Sequence, residues 1–367
     1  MISIIGGGPA GTYTAGLLAK EGFNTEVYEE HNTIGKPIQC TGITTVYLNN
    51  VLTERKIESE DFLINTISKT RVFAPDNSSV DIALKKNYIV DRARFDQYLA
   101  DLAQSAGAKI HYGKKFIAGS RSSKKIKLKF NNETKKTDAL IGADGPFSAV
   151  AKTFNMYGNR RFALGAQARM QMNETFDPNV VEFFLGKGCF GWLVPETKRI
   201  ARVGIASNEK ARHYFDELLK KRPGEILEWQ SGPIPVYNPK LPTEQGNVFL
   251  IGDAATQVKA TTYGGIIPAM MAAPSLVTAI KHQKSYQRLW KRAIGRELWL
   301  HLTMRKLLDR FTDHDCNRLI NLTNQAKITR VLTEHDREFP SKIVAKMLIR
   351  EPRFLSFAPR IFSSLAQ

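Results

Sequence analysis

The sequence predicts an α/β fold, in which a Rossmann-like domain is interrupted by an inserted antiparallel β-sheet and followed by a helical C-terminal region. A βαβ unit opens the chain, strands with alternating apolar residues fill its middle, and helical periodicity follows to the end. The chain has 367 residues, whereas single hydrophobic cores usually stop growing near ~250–300 residues, so we expect more than one domain.

The first 30 residues have the pattern of a strand, a glycine turn, a helix and a second strand. Gly6, Gly8 and Gly11 have the spacing G-x-G-x-x-G, which allows a tight turn and a close approach of pyrophosphate to the backbone. Glu29 follows Gly11 by eighteen residues, near the ~20 expected of the acid that binds ribose hydroxyls. Together these features predict a dinucleotide site, and a tight turn without a ligand is the alternative.

Changes in hydrophobic period divide the rest of the chain. Residues 91–106 have helical periodicity, and a Lys-rich hairpin then leads to a second glycine turn, "GADG" at 142–145. Apolar residues alternate over 162–172 as in a half-buried strand, and a buried strand returns at 247–255. We therefore predict three parts: a nucleotide-binding domain of residues 1–65, 87–155 and 245–280, a β-sheet domain of residues 66–86 and 156–244, and a basic helical region of residues 281–367.

The charge of the chain is strongly basic and uneven. Lys and Arg total 53 against 35 Asp and Glu, and residues 281–367 supply +10 of the net +18. Such a field favours an anionic partner, which could be a phospholipid surface, a phosphate-bearing substrate, an acidic protein or nucleic acid. A basic face that only keeps the protein soluble is the alternative.

The compartment and the mode of membrane contact can also be predicted. Cys40, Cys189 and Cys316 are too few for a disulfide framework and favour a reducing compartment, and the N-terminus lacks the features of a signal peptide. The longest apolar stretch, 266–280, is shorter than the ~20 residues that span a bilayer and contains two prolines. We expect a cytoplasmic protein that contacts membranes only peripherally.

Two strand-to-turn motifs decide which dinucleotide is expected, since "LIGADG" at 140–145 and "LIGDAATQVKATTYGGI" at 250–266 each predict an exposed Asp. With them, residues 1–280 resemble the FAD-dependent geranylgeranyl reductase family, flavoproteins with the fold of para-hydroxybenzoate hydroxylase. The shared marks are the glycine turn with Glu29, "GKPIQCTG", "RARFD", "GADG", "FGWLVP", and "GDAA" with Gly264, Gly265 and Ile266.

The resemblance implies FAD as cofactor. By the same resemblance, Asp253 would meet the ribityl and pyrophosphate region, the turn at Gly264 would pass beside the isoalloxazine, and Arg92 would lie along the FAD. The expected cofactor-binding residues are Gly6, Gly8, Gly11, Glu29, Lys36, Arg92, Asp253, Gly264, Gly265 and Ile266, and no metal is expected. No second glycine fingerprint appears, so we expect a separate electron donor, for which an acidic redox protein is a candidate.

Cys40 could be a small buried hydrophobe, half of a disulfide or a working thiol. The resemblance implies that its loop runs along the flavin, with the cysteine close to the reacting ring. We therefore predict Cys40 as the catalytic residue, which donates a proton or shapes the pocket.

The substrate side is expected on the inserted sheet. "FGWLVP" is similar to the family's aromatic substrate motif, and its Phe190, Trp192 and Val194 share one face of a strand. Tyr263 stands where the family usually has a glycine, and Thr256 and Ala260 replace another glycine and a proline. We predict that Phe190, Trp192 and Tyr263 contact the substrate, and that residues 170–172 also line an apolar tunnel.

The resemblance implies a reductase that saturates double bonds of geranylgeranyl chains in glycerophospholipids or related prenyl lipids. A prenyl lipid substrate and a membrane surface are thus the expected partners, and nucleic acid is not. Two alternatives stay open: an FAD-dependent aromatic monooxygenase or halogenase of the same fold, and a non-catalytic lipid-binding protein that contains FAD.

Overall fold

The computed structural model describes residues 1–38, 40–52, 61–122, 125–186, 188–207 and 209–362. In these residues the strands form three sheets, of six, eight and three strands. The helices cover the six-stranded sheet and form the C-terminal third of the chain. The predicted α/β class is confirmed.

The six-stranded sheet is the core of the nucleotide-binding part. In spatial order its strands are β16 (Glu244–Gln245), β17 (Val248–Leu250), β10 (Ala139–Gly142), β1 (Ile2–Ile5), β2 (Thr25–Tyr28) and β6 (Lys109–His111). All neighbours are parallel except β16 and β17. Every residue of β1 is buried, as expected of a strand covered on both faces.

Three helices pack together on this sheet: α1 (Pro9–Lys20), α3 (Arg92–Ser105) and α6 (Ile266–His282). Helix α1 begins at a proline, whose missing N–H would lack a helical partner at this position in any case. The predicted periodicity of α3 buries Phe95, Leu99 and Ala103. Together these contacts fix the start of each helix beside the carboxyl ends of the parallel strands.

The eight-stranded sheet is the inserted sheet. Its spatial order is β15 (Gly224–Pro235), β11 (Phe162–Met172), β14 (Ile200–Ser207), β13 (Cys189–Pro195), β12 (Val180–Gly186), β4 (Leu63–Phe73), β5 (Ser79–Val90) and β3 (Ile43–Thr44). Neighbours are antiparallel except β12 and β4, where the two segments of the sheet join. The expected antiparallel sheet is thus a mixed one at this seam, and the domain boundaries stay a proposal.

The Lys-rich hairpin forms a small third sheet of β7 (Phe116–Ser122), β8 (Lys125–Phe130) and β9 (Thr134–Thr137). Along β8, exposed lysines alternate with the buried side chains of Ile126, Leu128 and Phe130. These apolar residues pack with Val150 of α4 (Ala149–Thr153). The lysines are therefore the solvent face of a half-buried sheet.

The remaining helices are α2 (Leu48–Val51), α5 (Ala211–Lys221), α7 (Tyr286–Trp290), α8 (Arg296–Leu308), α9 (Asp313–Thr323), α10 (Ala326–Glu334), α11 (Pro340–Arg350) and α12 (Pro359–Phe362). A π-helical turn, Lys291–Gly295, joins α7 to α8, and a 3-10 helix, Pro352–Phe357, precedes α12. Ile320 of α9 packs on Val80 and Ile82 of β5, so the basic C-terminal region is docked on the inserted sheet. Among the described residues, no helix is both long and apolar enough to span a membrane.

Candidate active site

A cavity lies where the carboxyl ends of β1, β10 and β17 face the eight-stranded sheet. Its volume is about 370 Å³, and it opens to solvent. Its wall takes Gly8, Ala143 and Gly252 from the turns after these three strands. In open α/β sheets this edge is where ligands bind.

Most of the predicted site residues meet at this cavity. Those in its wall are Gly8, Cys40, Arg92, Phe190, Trp192, Asp253, Tyr263, Gly264, Gly265 and Ile266. Gly6, Gly11 and Glu29 lie outside the wall, in the glycine turn and at the end of β2. Lys36 is exposed and lies outside the wall, and Gln39 of the same motif is outside the described residues.

The three glycines of the first turn differ in what surrounds them. A Cβ on Gly11 would lie 2.0 Å from the Gly6 oxygen, and one on Gly6 would lie 2.4 Å from the Ala143 oxygen. A Cβ on Gly8 would have no atom within 4 Å. Gly6 and Gly11 therefore serve close packing of backbone, whereas Gly8 leaves open space at the start of α1, as a pyrophosphate requires.

Glu29 is buried and already holds the glycine turn. One carboxylate oxygen accepts from the backbone N–H of Gly7 at 2.7 Å. The other accepts from the backbone N–H of His31 at 2.9 Å and lies 2.6 Å from His31 Nδ1. The carboxylate thus connects the end of β2 to the turn, and its predicted contact with ribose stays a prediction.

Arg92 and Asp96 form a two-pronged ion pair in the first turns of α3, with both N–O distances 2.9 Å. Burial opposes the charge of Arg92, but Asp96 and contact with the Cys40 side chain raise the pKa of the guanidinium. The cavity therefore holds a charged arginine directly beside the predicted catalytic thiol.

The two aspartates of the strand-to-turn motifs play different parts. Asp144, which the motif suggested to be exposed, is held within the chain, because its carboxylate accepts from Ser148 Oγ at 2.6 Å and from the Val150 N–H at 3.0 Å. Asp253 lines the cavity, and within the described part of the chain its carboxylate accepts no hydrogen bond. Burial raises the pKa of Asp253 to about 6, although Arg92 and Arg160 act to lower it.

The aromatic strand β13 presents Phe190 and Trp192 to the cavity, and both are buried. Phe190 stacks on Phe183 of β12 with ring centroids 5.1 Å apart. The indole N–H of Trp192 donates to Gln167 Oε1 at 2.8 Å, which supplies the partner that a buried indole requires. From the sequence we did not predict that Gln167 of β11 lies at the site. A glutamine between alternating apolar residues could have indicated it.

The expected role of residues 170–172 is wrong. Met170 and Met172 are buried in a core formed with Phe215 and Leu218 of α5. Side chains of successive residues point to opposite faces of a strand, and the wall of the cavity takes Gly165 and Gln167 from β11 instead. The side of β11 that faces the cavity therefore carries Gly165 and Gln167, and the predicted alternation was assigned to the wrong face.

In the loop 256–265, two residues larger than glycine have the left-handed backbone conformation that glycine favours. Thr256 has φ +54° and Tyr263 has φ +57°, both in the left-handed region. Thr256 Oγ1 accepts from the Asn238 N–H at 3.1 Å, and the Tyr263 N–H donates to the Lys259 oxygen at 2.7 Å. The departures from the family pattern therefore change side chains while the turn is kept, and Ala260 is simply buried.

The C-terminal region also contributes to the wall, which sequence reasoning missed. Arg337 and Glu338, between α10 and α11, line the cavity together with Lys259. Lys259 Nζ forms a buried ion pair with Glu338. No local pattern marks these residues, because their contacts join parts of the chain that are far apart in sequence.

Comparisons with known proteins agree with this geometry. Digeranylgeranylglycerophospholipid reductases of Methanocaldococcus jannaschii and Thermoplasma acidophilum are 27% and 25% identical to the chain. The first alignment covers 97% of this chain and 96% of that protein, and the second covers 91% and 93%. The resemblance seen in the sequence is thereby confirmed.

Solved structures show the same fold. A geranylgeranyl bacteriochlorophyll reductase-like protein of Thermoplasma acidophilum superposes with a TM-score of 0.84 at 22% identity, covering 98% of both chains. A variant of the halogenase PltM in complex with FAD has a TM-score of 0.69 at 16% identity, covering 94% of this chain and 85% of its own.

The glycine turn, the open space at Gly8 and the Asp253 carboxylate in the cavity wall fit a dinucleotide with ribityl hydroxyls. The model of the FAD binding domain family matches residues 1–215, more than half of the chain. The chain therefore belongs to the FAD-binding domain family, and FAD is its cofactor.

Proposed function

We propose that the protein is an FAD-dependent reductase that saturates double bonds in the geranylgeranyl chains of glycerophospholipids or related prenyl lipids. The observation that carries this proposal is one cavity that joins the dinucleotide turn to an aromatic, apolar wall of Phe183, Phe190 and Trp192. An isoprenoid chain has only apolar surface to offer, so such a wall suits it. The names of the reductases that align over 91% and 97% of the chain support the same assignment.

Reduced FAD, once bound at the glycine turn, would supply the hydride for this reaction, and the chain would supply the proton and the surroundings. We propose that Cys40, or a water beside it, protonates one alkene carbon while the hydride reaches the other. An isolated alkene develops positive charge as it takes up the proton, and the face of Trp192 stabilises this charge. The thiolate left on Cys40 lies beside charged Arg92 and recovers its proton from solvent.

Arg202 anchors the backbone of the loop that carries Cys40. Arg202 Nη1 donates to the Thr41 oxygen at 2.9 Å and lies 3.5 Å from the Cys40 oxygen. The guanidinium is itself paired with Glu196, with 2.8 Å between Nε and Oε1, and both side chains are buried. A fixed backbone keeps the thiol in position, as proton transfer requires.

The test uses dithionite-reduced protein and digeranylgeranylglyceryl phosphate without oxygen. We expect flavin reoxidation and a lipid that has gained hydrogen. Cys40→Ala should keep its FAD and slow single-turnover reoxidation by about 10²-fold or more, the usual range for a lost general acid, and Cys40→Ser should fall between. Cys189→Ala is the matched control, because that half-buried cysteine lies outside the cavity wall.

Two results would contradict the proposal. Hydroxylation or halogenation of an aromatic substrate with oxygen, and no hydrogenation of the lipid, would favour the chemistry of the halogenase fold relatives. Lipid binding without reoxidation would favour an FAD-containing lipid-binding protein. Equal rates in wild type and Cys40→Ala would leave only the water as proton donor.

We further propose that the protein works in the cytoplasm, at the surface of an anionic membrane, and takes electrons from an acidic redox protein. Helix α11 supports the membrane contact, because it exposes Lys342, Lys346 and Arg350 beside Ile349, whose surface is 79% accessible. The same basic surface would attract an acidic donor.

A further inference from the structure

Arg337 differs from the other two cations in the described cavity wall, Arg92 and Lys259, in its electrostatic surroundings. Arg337 lies in the segment 335–339 between α10 and α11, and its Nε is fully buried, with no hydrogen-bond partner among the residues that the structure describes. Within the described ranges, its guanidinium has no carboxylate within 4.0 Å, whereas Arg92 has Asp96 and Lys259 has Glu338.

The charge of Arg337 is therefore only weakly compensated. Burial lowers the pKa of Arg337, and the carboxylates of Glu338 and Asp336 act on it from a longer range. Glu338 is already bonded to Lys259. A buried cation without a paired anion is destabilising, so the site gains when an anion enters the cavity.

The segment that carries Arg337 is held firmly. Glu338 accepts from Thr45 Oγ1 at 3.4 Å and from Lys259, and its own N–H donates to Asp336 Oδ1 at 2.9 Å. The ring of Phe339 meets Tyr47 edge to face with centroids 5.5 Å apart. None of these residues belongs to the glycine turn where the FAD pyrophosphate is expected.

We propose that Arg337 binds the phosphate of the lipid substrate, so that the cavity selects phosphorylated prenyl lipids over the corresponding alcohols. This inference rests on the proposed function. The planar guanidinium can give two parallel hydrogen bonds to phosphate oxygens, which an ammonium group cannot. Lys259, neutralised by Glu338, adds a polar wall without adding net charge.

The test measures equilibrium binding to oxidised, FAD-loaded protein, with geranylgeranyl phosphate and geranylgeraniol as probes. Binding is followed by perturbation of the flavin spectrum and by calorimetry. We expect wild type to prefer the phosphate, and Arg337→Met to lose about tenfold or more in affinity for the phosphate with no change for the alcohol. Arg337→Lys should restore part of the preference.

The matched control is Arg330→Met, which removes the same charge from α10, where Arg330 is 74% exposed and paired with Glu334. It should leave both affinities unchanged. FAD content and thermal melting establish whether each variant folds. If Arg337→Met does not fold, the comparison of Arg337→Lys with the wild type still tests the inference.

Several results would overturn the inference. These are an equal loss for both probes, no loss for either, or a loss confined to FAD affinity, which would assign the anion to the cofactor pyrophosphate. If inorganic phosphate competed as strongly as the lipid, Arg337 would be interpreted as a site for free phosphate and not for the lipid. Because binding needs no turnover, an Arg337-dependent preference in a protein that fails to reduce the lipid would leave this inference standing and remove the proposed reaction.

Discussion

The indole N–H of Trp192 donates to the side-chain oxygen of Gln167, with 2.8 Å between Nε1 and Oε1. The amide nitrogen of Gln167 lies 2.5 Å from Gln230 Oε1 and 3.4 Å from the backbone oxygen of Cys40. One glutamine thus orients the aromatic wall and also touches the loop of the proposed proton donor. Its position couples the two sides of the cavity.

Gln167→Leu should therefore weaken both the fold and the reaction. The change leaves the buried N–H of Trp192 and the Gln230 oxygen without a partner, which costs about 1–3 kcal/mol for an unsatisfied group. Chemical denaturation should show this loss, and single-turnover reoxidation should slow while FAD stays bound. Gln171→Leu, four residues further along the same strand, is the control and should change neither. A stable, fully active Gln167→Leu protein would separate Gln167 from the site.

Gly8→Val should remove FAD without harming the apoprotein. Gly8 has φ −71°, which any residue adopts, and nothing lies within 4 Å of its added Cβ. The branched side chain would instead occupy the space into which the pyrophosphate must come. We expect colourless protein with an unchanged melting temperature. Gly11→Val is the contrast, because its Cβ would meet the Gly6 oxygen at 2.0 Å and should lower stability itself. Stoichiometric FAD in Gly8→Val would contradict the proposed pyrophosphate position.

The burial of Asp253 predicts a pH dependence with a definite sign. Its pKa is raised from 3.8 to about 6, so between these values the folded apoprotein binds more protons than the unfolded chain. Stability of the apoprotein should therefore fall as pH rises from about 4 to about 6, a trend that Asp253→Asn should flatten. Thermal melting across this range measures it. Ribityl hydroxyls that donate to the carboxylate should oppose this loss in the FAD-loaded protein, and Asp253→Asn should bind FAD less tightly. An identical pH profile in the variant would exclude Asp253 as the titrating group.

The glycine turn and strand β13 could be predicted because their signals are local. The spacing of Gly6, Gly8 and Gly11 follows from a turn in which backbone atoms approach too closely for side chains. The two-residue period of Phe190 and Trp192 indicates that both side chains lie on one face of a strand. Residues 170–172 have the same period, but alternation alone does not say which face of β11 meets the cavity. That choice depends on α5, which covers Met170 and Met172.

The C-terminal part of the site could not be predicted, because its contacts are distant in sequence. Thr45 and Glu338 are separated by 293 residues, and Lys259 and Glu338 by 79. The sequence around Arg337 has no pattern that distinguishes it from other charged loops. The excess positive charge of residues 281–367 predicted only a basic protein surface. Docking of these helices on β5 brings one of those cations into the wall of the cavity, where its Nε is buried.

The proposed membrane contact should depend on charge and on one apolar side chain. Replacing Lys342 and Lys346 by Glu, or Ile349 by Glu, should weaken co-sedimentation with anionic vesicles, on a scale of about 1 kcal/mol per basic residue near the surface. Added salt should weaken the wild type in the same way. Lys127→Glu changes an exposed lysine of β8 and should have no effect. Binding that ignores salt and lipid charge would exclude this surface.

Tyr263 should restrict which double bonds reach the reacting position. Its side chain lines the cavity next to Phe190 and Trp192, and its hydroxyl contacts Arg305 of α8. Its φ of +57° stores strain of about 1–3 kcal/mol, typical of a non-glycine residue in the left-handed region. Tyr263→Gly relieves this strain but leaves space where the ring was, so the two effects on stability oppose each other.

We expect Tyr263→Gly to stay folded and to reduce a wider range of double bonds, because the space beside the wall of Phe190 and Trp192 becomes larger. The measurement is the mass distribution of products from digeranylgeranylglyceryl phosphate at equal extents of flavin reoxidation. Tyr263→Phe is the control: it keeps the ring and the backbone conformation and loses only the contact with Arg305, so its products should match the wild type. If Tyr263→Phe widened the products as much as Tyr263→Gly, selection would depend on the hydroxyl contact with Arg305 and not on the volume of the ring.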